Sequence, residues 1–161
     1  MLLALTVFAY GLYFSWFGFY GDDWSYVWYQ HLLGYGGPGA FASVDRPLSS
    51  LFYNPVMAIF GEGALPYHIL NLLLRWLSGC LFFTIIQLMA PGQTGLAAWA
   101  GILLVLYPGF TSQPIAVEFI LHFFVFDLYL LSIWLMLKSQ AKRGAIFWVM
   151  TLLSMLSAAS L

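Results

Sequence analysis

The feature that most constrains this chain is a run of 42 residues, 76–117, without a charged side chain. A membrane-spanning helix needs about 20 apolar residues, so the run is long enough for two crossings. Residues 91–95 (Pro-Gly-Gln-Thr-Gly) divide it, because proline and glycine end helices and form turns. The unbroken apolar character excludes a β-barrel, whose strands alternate polar and apolar residues. We therefore predict an all-α membrane protein.

Composition supports the same prediction, since 63% of the residues are hydrophobic and 7% are charged. A soluble domain carries about 25% charged residues. We predict a single transmembrane domain over residues 1–161 and interpret it as the N-terminal part of a larger protein. Its apolar segments predict about five transmembrane helices, at about 1–20, 66–90, 96–108, 115–137 and 145–161.

Basic residues predict the orientation of the helices. Lys138, Lys142 and Arg143 share one short linker, which the positive-inside rule assigns to the cytoplasm. The N-terminus is then cytoplasmic, and the loop 21–64 lies on the outer or lumenal side. We expect a multi-pass protein of a bacterial plasma (inner) membrane, with the lipid bilayer as its first partner. No basic stripe indicates nucleic-acid binding, and the single Cys80 excludes a disulfide framework.

The outer loop 21–64 contains five of the eleven charges and two predicted interfacial helices. The first spans about 23–33 and ends at the glycine-rich segment 34–39. The second runs from about Pro47 to near Gly61, and Pro55 is expected to kink or divide it. The apolar sides of these helices are predicted to contain Trp24, Val27, Trp28 and Leu32 in the first, and Leu48, Leu51, Phe52, Ile59 and Phe60 in the second.

Two adjacent carboxylates, Asp22 and Asp23, open this loop. One of them has an ordinary role as a cap for the N-terminus of the first loop helix. A cap needs one carboxylate, and the repulsion and partial burial of two raise the pKa of at least one. Such a carboxylate is suited to act as a general base, and a pair is suited to hold a divalent cation. Capping without catalysis remains the alternative.

Four further polar groups are candidate ligands for a substrate. Arg46 is a cation on the predicted outer side, suited to grip a phosphate, or alternatively to pair with Asp45 or contact lipid headgroups. Glu118 and His122 lie one helical turn apart, which suits metal binding, a second acid or simple capping. The fourth is a polar cluster at the start of the second span, where interfacial anchoring is the alternative; it contains Tyr67, His68 and Asn71.

Two charges lie inside predicted spans, Arg75 in the second and Asp127 in the fourth. Both spans begin at the outer face, so the two charges come to a similar depth of roughly 14–18 Å. A lone charge at that depth costs at least about 2.5–3.5 kcal/mol. We therefore predict a structural contact between Arg75 and Asp127.

The arrangement of the loop motifs resembles the GT-C class of polytopic glycosyltransferases, which includes protein O-mannosyltransferases, the lipid A aminoarabinose transferase and Rgt-like bacterial enzymes. Gly-Asp-Asp-Trp at 21–24 follows the first span, Arg-Pro-Leu at 46–48 comes some twenty residues later, and Pro-Tyr-His at 66–68 with Asn71 opens the second span. Their order matches the first outer loop of that class, and the resemblance covers about residues 1–140.

The resemblance implies inverting transfer of a sugar from a polyprenyl- or dolichyl-phosphate donor to an acceptor protein, lipid or glycan. It implies that Asp22 or Asp23, with Asp22 favoured, is the general base. Arg46 would hold the donor phosphate, Glu118 would supply the acid of the second outer loop, and Asp22, Asp23 and Glu118 are the ligands for any Mg or Mn ion. The alternative is a non-enzymatic transporter or assembly subunit that uses Arg75 and Asp127 as a polar relay.

Overall fold

The computed structural model describes residues 1–44, 46, 48–107, 114–139, 147–150 and 152–153, and every regular element in them is helical. The prediction of an all-α protein is confirmed for these residues. The elements in order are α1 (Leu2–Thr6), a π-helical turn (Val7–Gly11), a 3₁₀ turn (Phe14–Trp16), α2 (Asp23–Leu33), α3 (Gly37–Ala42), α4 (Ser49–Phe60), α5 (Ala64–Met89), α6 (Thr94–Leu106) and α7 (Ala116–Ser139).

The centre of the fold is α5, which packs along α6 on one side and along α7 on another. Among the described residues, α5 and α7 are long and apolar enough to cross a membrane, with mean hydropathies of 1.9 and 2.0. This favours membrane association, and their bounds agree with the predicted spans 66–90 and 115–137 to within two residues. The predicted span 96–108 is the 13-residue α6, which at 1.5 Å per residue covers about 20 Å.

The contact between α5 and α6 depends on two glycines. A Cβ added at Gly79 would collide with Val105 of α6, and one added at Gly101 would lie 3.1 Å from the carbonyl oxygen of Gly79. Small residues at such a crossing let two backbones approach closely where packing contacts, rather than a hydrophobic driving force, hold helices together.

The predicted first span, 1–20, is not one continuous helix. The α-helical part ends at Thr6, a π-helical turn and a 3₁₀ turn follow, and Phe17 is extended. The carbonyl of Gly18 accepts a hydrogen bond from Nε2 of His68 at 3.0 Å, so a side chain of α5 takes the place of a backbone donor there. Most of the predicted span 145–161 lies outside the described residues, and five spans are therefore not confirmed.

The loop 21–64 contains three helices rather than two. Helix α2 has the predicted bounds, whereas α3 occupies part of the glycine-rich segment predicted to be a break. A Cβ at Gly37 would collide with the carbonyl oxygen of Tyr29, and the N–H of Gly39 donates to Oδ1 of Asn54 at 3.0 Å. These close contacts fix α3 between α2 and α4, which explains why a segment of weak helix formers is helical here.

Helix α4 begins at Ser49, runs through Pro55 without a break and ends at Phe60. Its buried face consists of Ser49, Tyr53 and Met57, each fully buried. Of the apolar residues predicted to lie along one side of this interfacial helix, Leu51 and Ile59 are exposed. In α2, Trp24, Trp28 and Leu32 are likewise exposed, so both helices keep an apolar face that the described protein does not cover.

Candidate functional site

The carboxylate of Asp23 binds the first turn of α7 across 93 residues of sequence. Its Oδ2 accepts from the N–H of Ala116 at 2.8 Å, and its Oδ1 accepts from Val117 at 2.8 Å and from Glu118 at 3.0 Å. The first N–H groups of a helix have no partner within the helix, and a carboxylate there also interacts favourably with the helix dipole. Asp23 is therefore a tertiary N-terminal cap that joins the start of α2 to the start of α7.

This contact corrects two predictions. Neither Asp22 nor Asp23 caps α2 through its side chain, because the carboxylate of Asp23 is directed at α7. Asp23 is fully buried and both of its oxygens accept backbone hydrogen bonds, so it is not open to a substrate or a metal ion. Burial raises the pKa of Asp23 above its ordinary value, and the backbone N–H bonds act in the opposite direction.

Asp22, next to it in sequence, is exposed and lines a cavity of about 340 Å³ at the end of the bundle where α7 begins. Arg46 and Glu118 line the same cavity, which we call the Asp22 cavity. All three side chains were predicted from the sequence to be site residues, and in the structure they line the same cavity. The remaining lining residues are Tyr26, Tyr29, Phe41, Ala42 and Val44.

Arg46 is anchored by His122. Nη2 of the guanidinium lies 3.2 Å from Nε2 of the imidazole, and Nδ1 of the same ring lies 3.2 Å from the carbonyl oxygen of Glu118. A carbonyl oxygen only accepts, so Nδ1 carries the proton, and a guanidinium only donates, so Nε2 presents its lone pair. His122 is therefore neutral in this arrangement, and it contacts Arg46 rather than acting as a separate ligand group.

The backbone of Arg46 is held as firmly as its side chain. Its N–H donates to the carbonyl of Ala42 at 3.0 Å, and its own carbonyl accepts from the N–H of Ser49 at 3.0 Å and from Oγ of Ser49 at 2.6 Å. Ser49 is fully buried, which keeps water from competing for these bonds. The predicted ion pair with Asp45 falls on a residue outside the described part of the chain.

Arg46 forms no ion pair with Asp22 or Glu118, all three of which lie in the described part of the chain. The guanidinium is therefore held in place by a neutral partner, and its positive charge is not neutralised by direct contact with Asp22 or Glu118. Such a group remains available to an anion that enters the cavity.

Tyr26 lines the cavity and Tyr53 packs against it, and neither residue was predicted from the sequence. The hydroxyl of Tyr53 donates to the carbonyl of Glu118 at 3.1 Å, and the two rings lie 4.6 Å apart between centroids. Burial raises the pKa of both phenols, so they are neutral hydrogen-bonding groups. Spacing along the helices could have indicated both residues. Tyr26 lies one helical turn after Asp22, and Tyr53 lies one turn after Ser49, so each shares a helical face with that residue.

Tyr67, His68 and Asn71, which were predicted to bind substrate, do not line the Asp22 cavity. The hydroxyl of Tyr67 donates to the carbonyl of Gly61 at 2.6 Å, and His68 binds the carbonyl of Gly18. All three side chains are fully buried on α5. The contacts of Tyr67 and His68 are structural, since they fix the segments that lead into α5.

The predicted contact between Arg75 and Asp127 is not formed: no ion pair joins these two residues, both in the described part of the chain. The guanidinium of Arg75 lies over the ring of Tyr10, 3.9 Å from its centroid. Oδ1 of Asp127 lies 2.5 Å from Oγ of Ser78, one turn further along α5. Counting residues from the helix starts therefore predicted the relative depth of the two charges only to within about one turn. Arg75 contacts Tyr10, and Asp127 contacts Ser78.

The predicted metal ligands Asp22, Asp23 and Glu118 are not assembled into a site. The carboxylate of Asp23 is hydrogen-bonded to the backbone of α7. Among the described residues, no group of three His, Cys, Asp or Glu side chains is placed to hold a metal ion. The described charged groups that line the Asp22 cavity are two carboxylates and one guanidinium. This set fits an anion at Arg46 and a proton acceptor at Asp22 better than it fits a divalent cation.

Comparison of the chain with models of protein families, with curated proteins and with solved structures finds no match.

Proposed function

We propose that this protein is a membrane glycosyltransferase of the GT-C kind, which transfers a sugar from a polyprenyl-phosphate donor to an acceptor hydroxyl. The proposal rests on one observation: the same cavity contains a group suited to bind phosphate and a group suited to accept a proton. Arg46 presents a guanidinium anchored by the neutral His122, and Asp22 presents an exposed carboxylate. The resemblance of the loop motifs to that class supports the same assignment.

The two groups match the two needs of the reaction. The acceptor oxygen attacks the anomeric carbon, the bond from that carbon to the phosphate oxygen breaks, and the electron pair leaves with the polyprenyl phosphate. Asp22 takes the proton of the acceptor hydroxyl as general base. Arg46 stabilises the charge on the departing phosphate, and its planar fork suits two phosphate oxygens at once. Attack from the side opposite the leaving group inverts the anomeric configuration.

The position of the cavity suits a lipid-linked donor. It lies at the end of the bundle where α5 and α7 begin, beside the exposed apolar face of α2 formed by Trp24, Trp28 and Leu32. Aromatic residues of this kind settle at the headgroup level of a bilayer. We propose that α2 and α4 lie in the outer interface of a bacterial inner membrane, where a polyprenyl phosphate presents its head to Arg46.

The test measures transfer and binding separately. Membranes carrying the protein are incubated with a panel of radiolabelled polyprenyl-phosphate sugars, and the purified protein is titrated with polyprenyl phosphate. Asp22→Asn should lower turnover by about 10²-fold or more, with little change in polyprenyl-phosphate binding. Arg46→Gln should weaken that binding about tenfold or more, the loss of a charge-assisted contact.

His31→Gln serves as a control, because the contact between His31 and Glu62 is exposed and lies outside the cavity lining, and both activities should be kept. If Asp22→Asn transfers sugar at the wild-type rate, Asp22 is not the general base. If the wild-type protein transfers no sugar and polyprenyl phosphate binds equally to the wild type and Arg46→Gln, the non-enzymatic alternative replaces the proposal.

A further inference from the structure

A second cavity, of about 420 Å³, lies at the opposite end of the bundle from Asp22. It is formed where α5 and α7 end and α6 begins, and we call it the far cavity. Its lining residues are Thr84, Gln87, Leu88, Gly92, Thr94, Trp134 and Lys138. The 26 residues of α5 separate the two ends of the bundle by about 39 Å, so the far cavity is remote from the proposed catalytic groups.

The polar groups of the far cavity are suited to an anion. Lys138 supplies a positive charge, and its Nζ lies 4.9 Å from the ring centroid of Trp134, which holds the ammonium beside the cavity. The side chains of Gln87 and Thr94 add an amide and a hydroxyl that are able to donate. No carboxylate is among the described residues of the lining. The preceding acid on α7, Asp127, lies eleven residues away, about 16 Å along the helix.

The surroundings indicate where such an anion comes from. Three of the five basic residues of the chain fall within 138–143, at or just beyond the end of α7. Trp and Lys together are typical of the boundary between hydrocarbon and water. Leu88 and the ring of Trp134 give the cavity an apolar wall next to its polar donors. A ligand with a phosphate on one side and a hydrocarbon portion on the other would contact both the polar donors and the apolar wall of the cavity.

We propose that the far cavity binds the phosphate of an anionic phospholipid from the leaflet opposite the Asp22 cavity. Lys138 contacts the phosphate, Gln87 and Thr94 donate to its oxygens, and Leu88 and Trp134 pack against the glycerol and the first acyl carbons. Basic pockets between membrane helices bind lipid headgroups by the same combination of charge and shape. The inference does not depend on glycosyl transfer, and binding is measured without any donor sugar.

The experiment titrates the full chain, in a non-ionic detergent, with three probes: short-chain phosphatidylglycerol, short-chain phosphatidylcholine and inorganic phosphate. Thermophoresis of the labelled protein reports binding. Phosphatidylglycerol should bind more tightly than either of the others. Lys138→Gln should weaken that binding about tenfold, the loss of one charge-assisted hydrogen bond.

Lys138→Arg is the matched control, because it keeps a positive charge in the lining of the far cavity. It should weaken binding by less than about twofold, because a guanidinium also donates hydrogen bonds to a phosphate. Trp134→Leu, which removes the apolar wall and leaves every basic residue in place, should also weaken binding of phosphatidylglycerol.

Three outcomes overturn the proposal. Unchanged binding of phosphatidylglycerol in Trp134→Leu indicates diffuse attraction to the basic residues rather than a site. Equal binding of phosphatidylcholine and phosphatidylglycerol removes the requirement for an anionic headgroup. Inorganic phosphate binding as tightly as phosphatidylglycerol indicates a site for a soluble anion, with no part played by the hydrocarbon.

Discussion

Replacing Asp23 with alanine tests the central contact of the fold, the bond between α2 and the start of α7. The substitution removes the acceptor for three backbone N–H groups, those of Ala116, Val117 and Glu118. The carboxylate is fully buried, and Ala116 and Val117 are fully buried as well. Water therefore does not replace the lost acceptor without a local opening of the structure.

The size of the effect follows from those three bonds. A hydrogen bond to a charged group contributes about 1.5–3 kcal/mol, and each donor left buried without a partner costs about 1–3 kcal/mol. These contributions are not additive within one network, and removing one partner of a buried charged contact costs about 3–5 kcal/mol in total. We expect Asp23→Ala to destabilise the packing of α7 by about 3–5 kcal/mol. Asp23→Asn should cost less, because its amide oxygen still accepts.

Hydrogen exchange at the start of α7 is the direct assay. Exchange of the amides of Val117 and Glu118 should accelerate in Asp23→Ala by about 10²- to 10⁴-fold, the equivalent of that free energy. Asp22→Asn is the matched control, since it removes the same charge one residue earlier from an exposed side chain without hydrogen bonds to α7. Equal protection of these amides in Asp23→Ala and the wild type would refute the capping role. Equal loss of protection in Asp22→Asn would show a long-range charge effect instead.

Three further predictions address the rest of the structure. His122→Phe should weaken polyprenyl-phosphate binding about tenfold by releasing Arg46, whereas His122→Gln, which keeps an acceptor, should restore part of it; equal binding by both variants and the wild type contradicts the anchor. Gly79→Leu should destabilise the protein by about 3 kcal/mol or more through collision with α6. Gly95→Leu, at a position with open space around its Cβ, should lower the midpoint of thermal unfolding far less. Burial raises the pKa of Tyr53, so the free energy of unfolding should fall as pH rises above the ordinary phenol range near 10. Tyr53→Phe should reduce that fall, and an unchanged pH dependence contradicts the assignment.

Helix bounds followed from the sequence wherever one strong local signal determined them. The long apolar runs gave α5 and α7 to within two residues, and the spacing of Trp24 and Val27 gave α2. Helix α3 was missed because its stability comes from contacts that local propensity does not contain. Gly37 and Gly39 are poor helix formers, yet their lack of side chains lets α3 approach Tyr29 and Asn54 closely.

The partners of the polar residues were harder to predict than the residues themselves. Asp22, Arg46 and Glu118 were identified from their types and positions, and they do line one cavity. The pairing of Asp23 with α7 joins residues 93 to 95 positions apart, and no local pattern specifies it. The error at Arg75 has the same origin, because its guanidinium lies over the ring of Tyr10, a cation–π contact that no local pattern specifies.

Asp23 has a structural contact and Asp22 has only a proposed catalytic role, and this difference decides how mutants are to be interpreted. Asp23 fixes the start of α7, and His122, which anchors Arg46, lies within the first two turns of that helix. A substitution at Asp23 therefore displaces Arg46 indirectly, and an inactive Asp23 variant is no evidence for base catalysis. Asp22 has no such structural contact in its carboxylate. Loss of turnover in Asp22→Asn, in a protein whose α7 amides remain protected and which still binds polyprenyl phosphate, isolates the proton transfer itself.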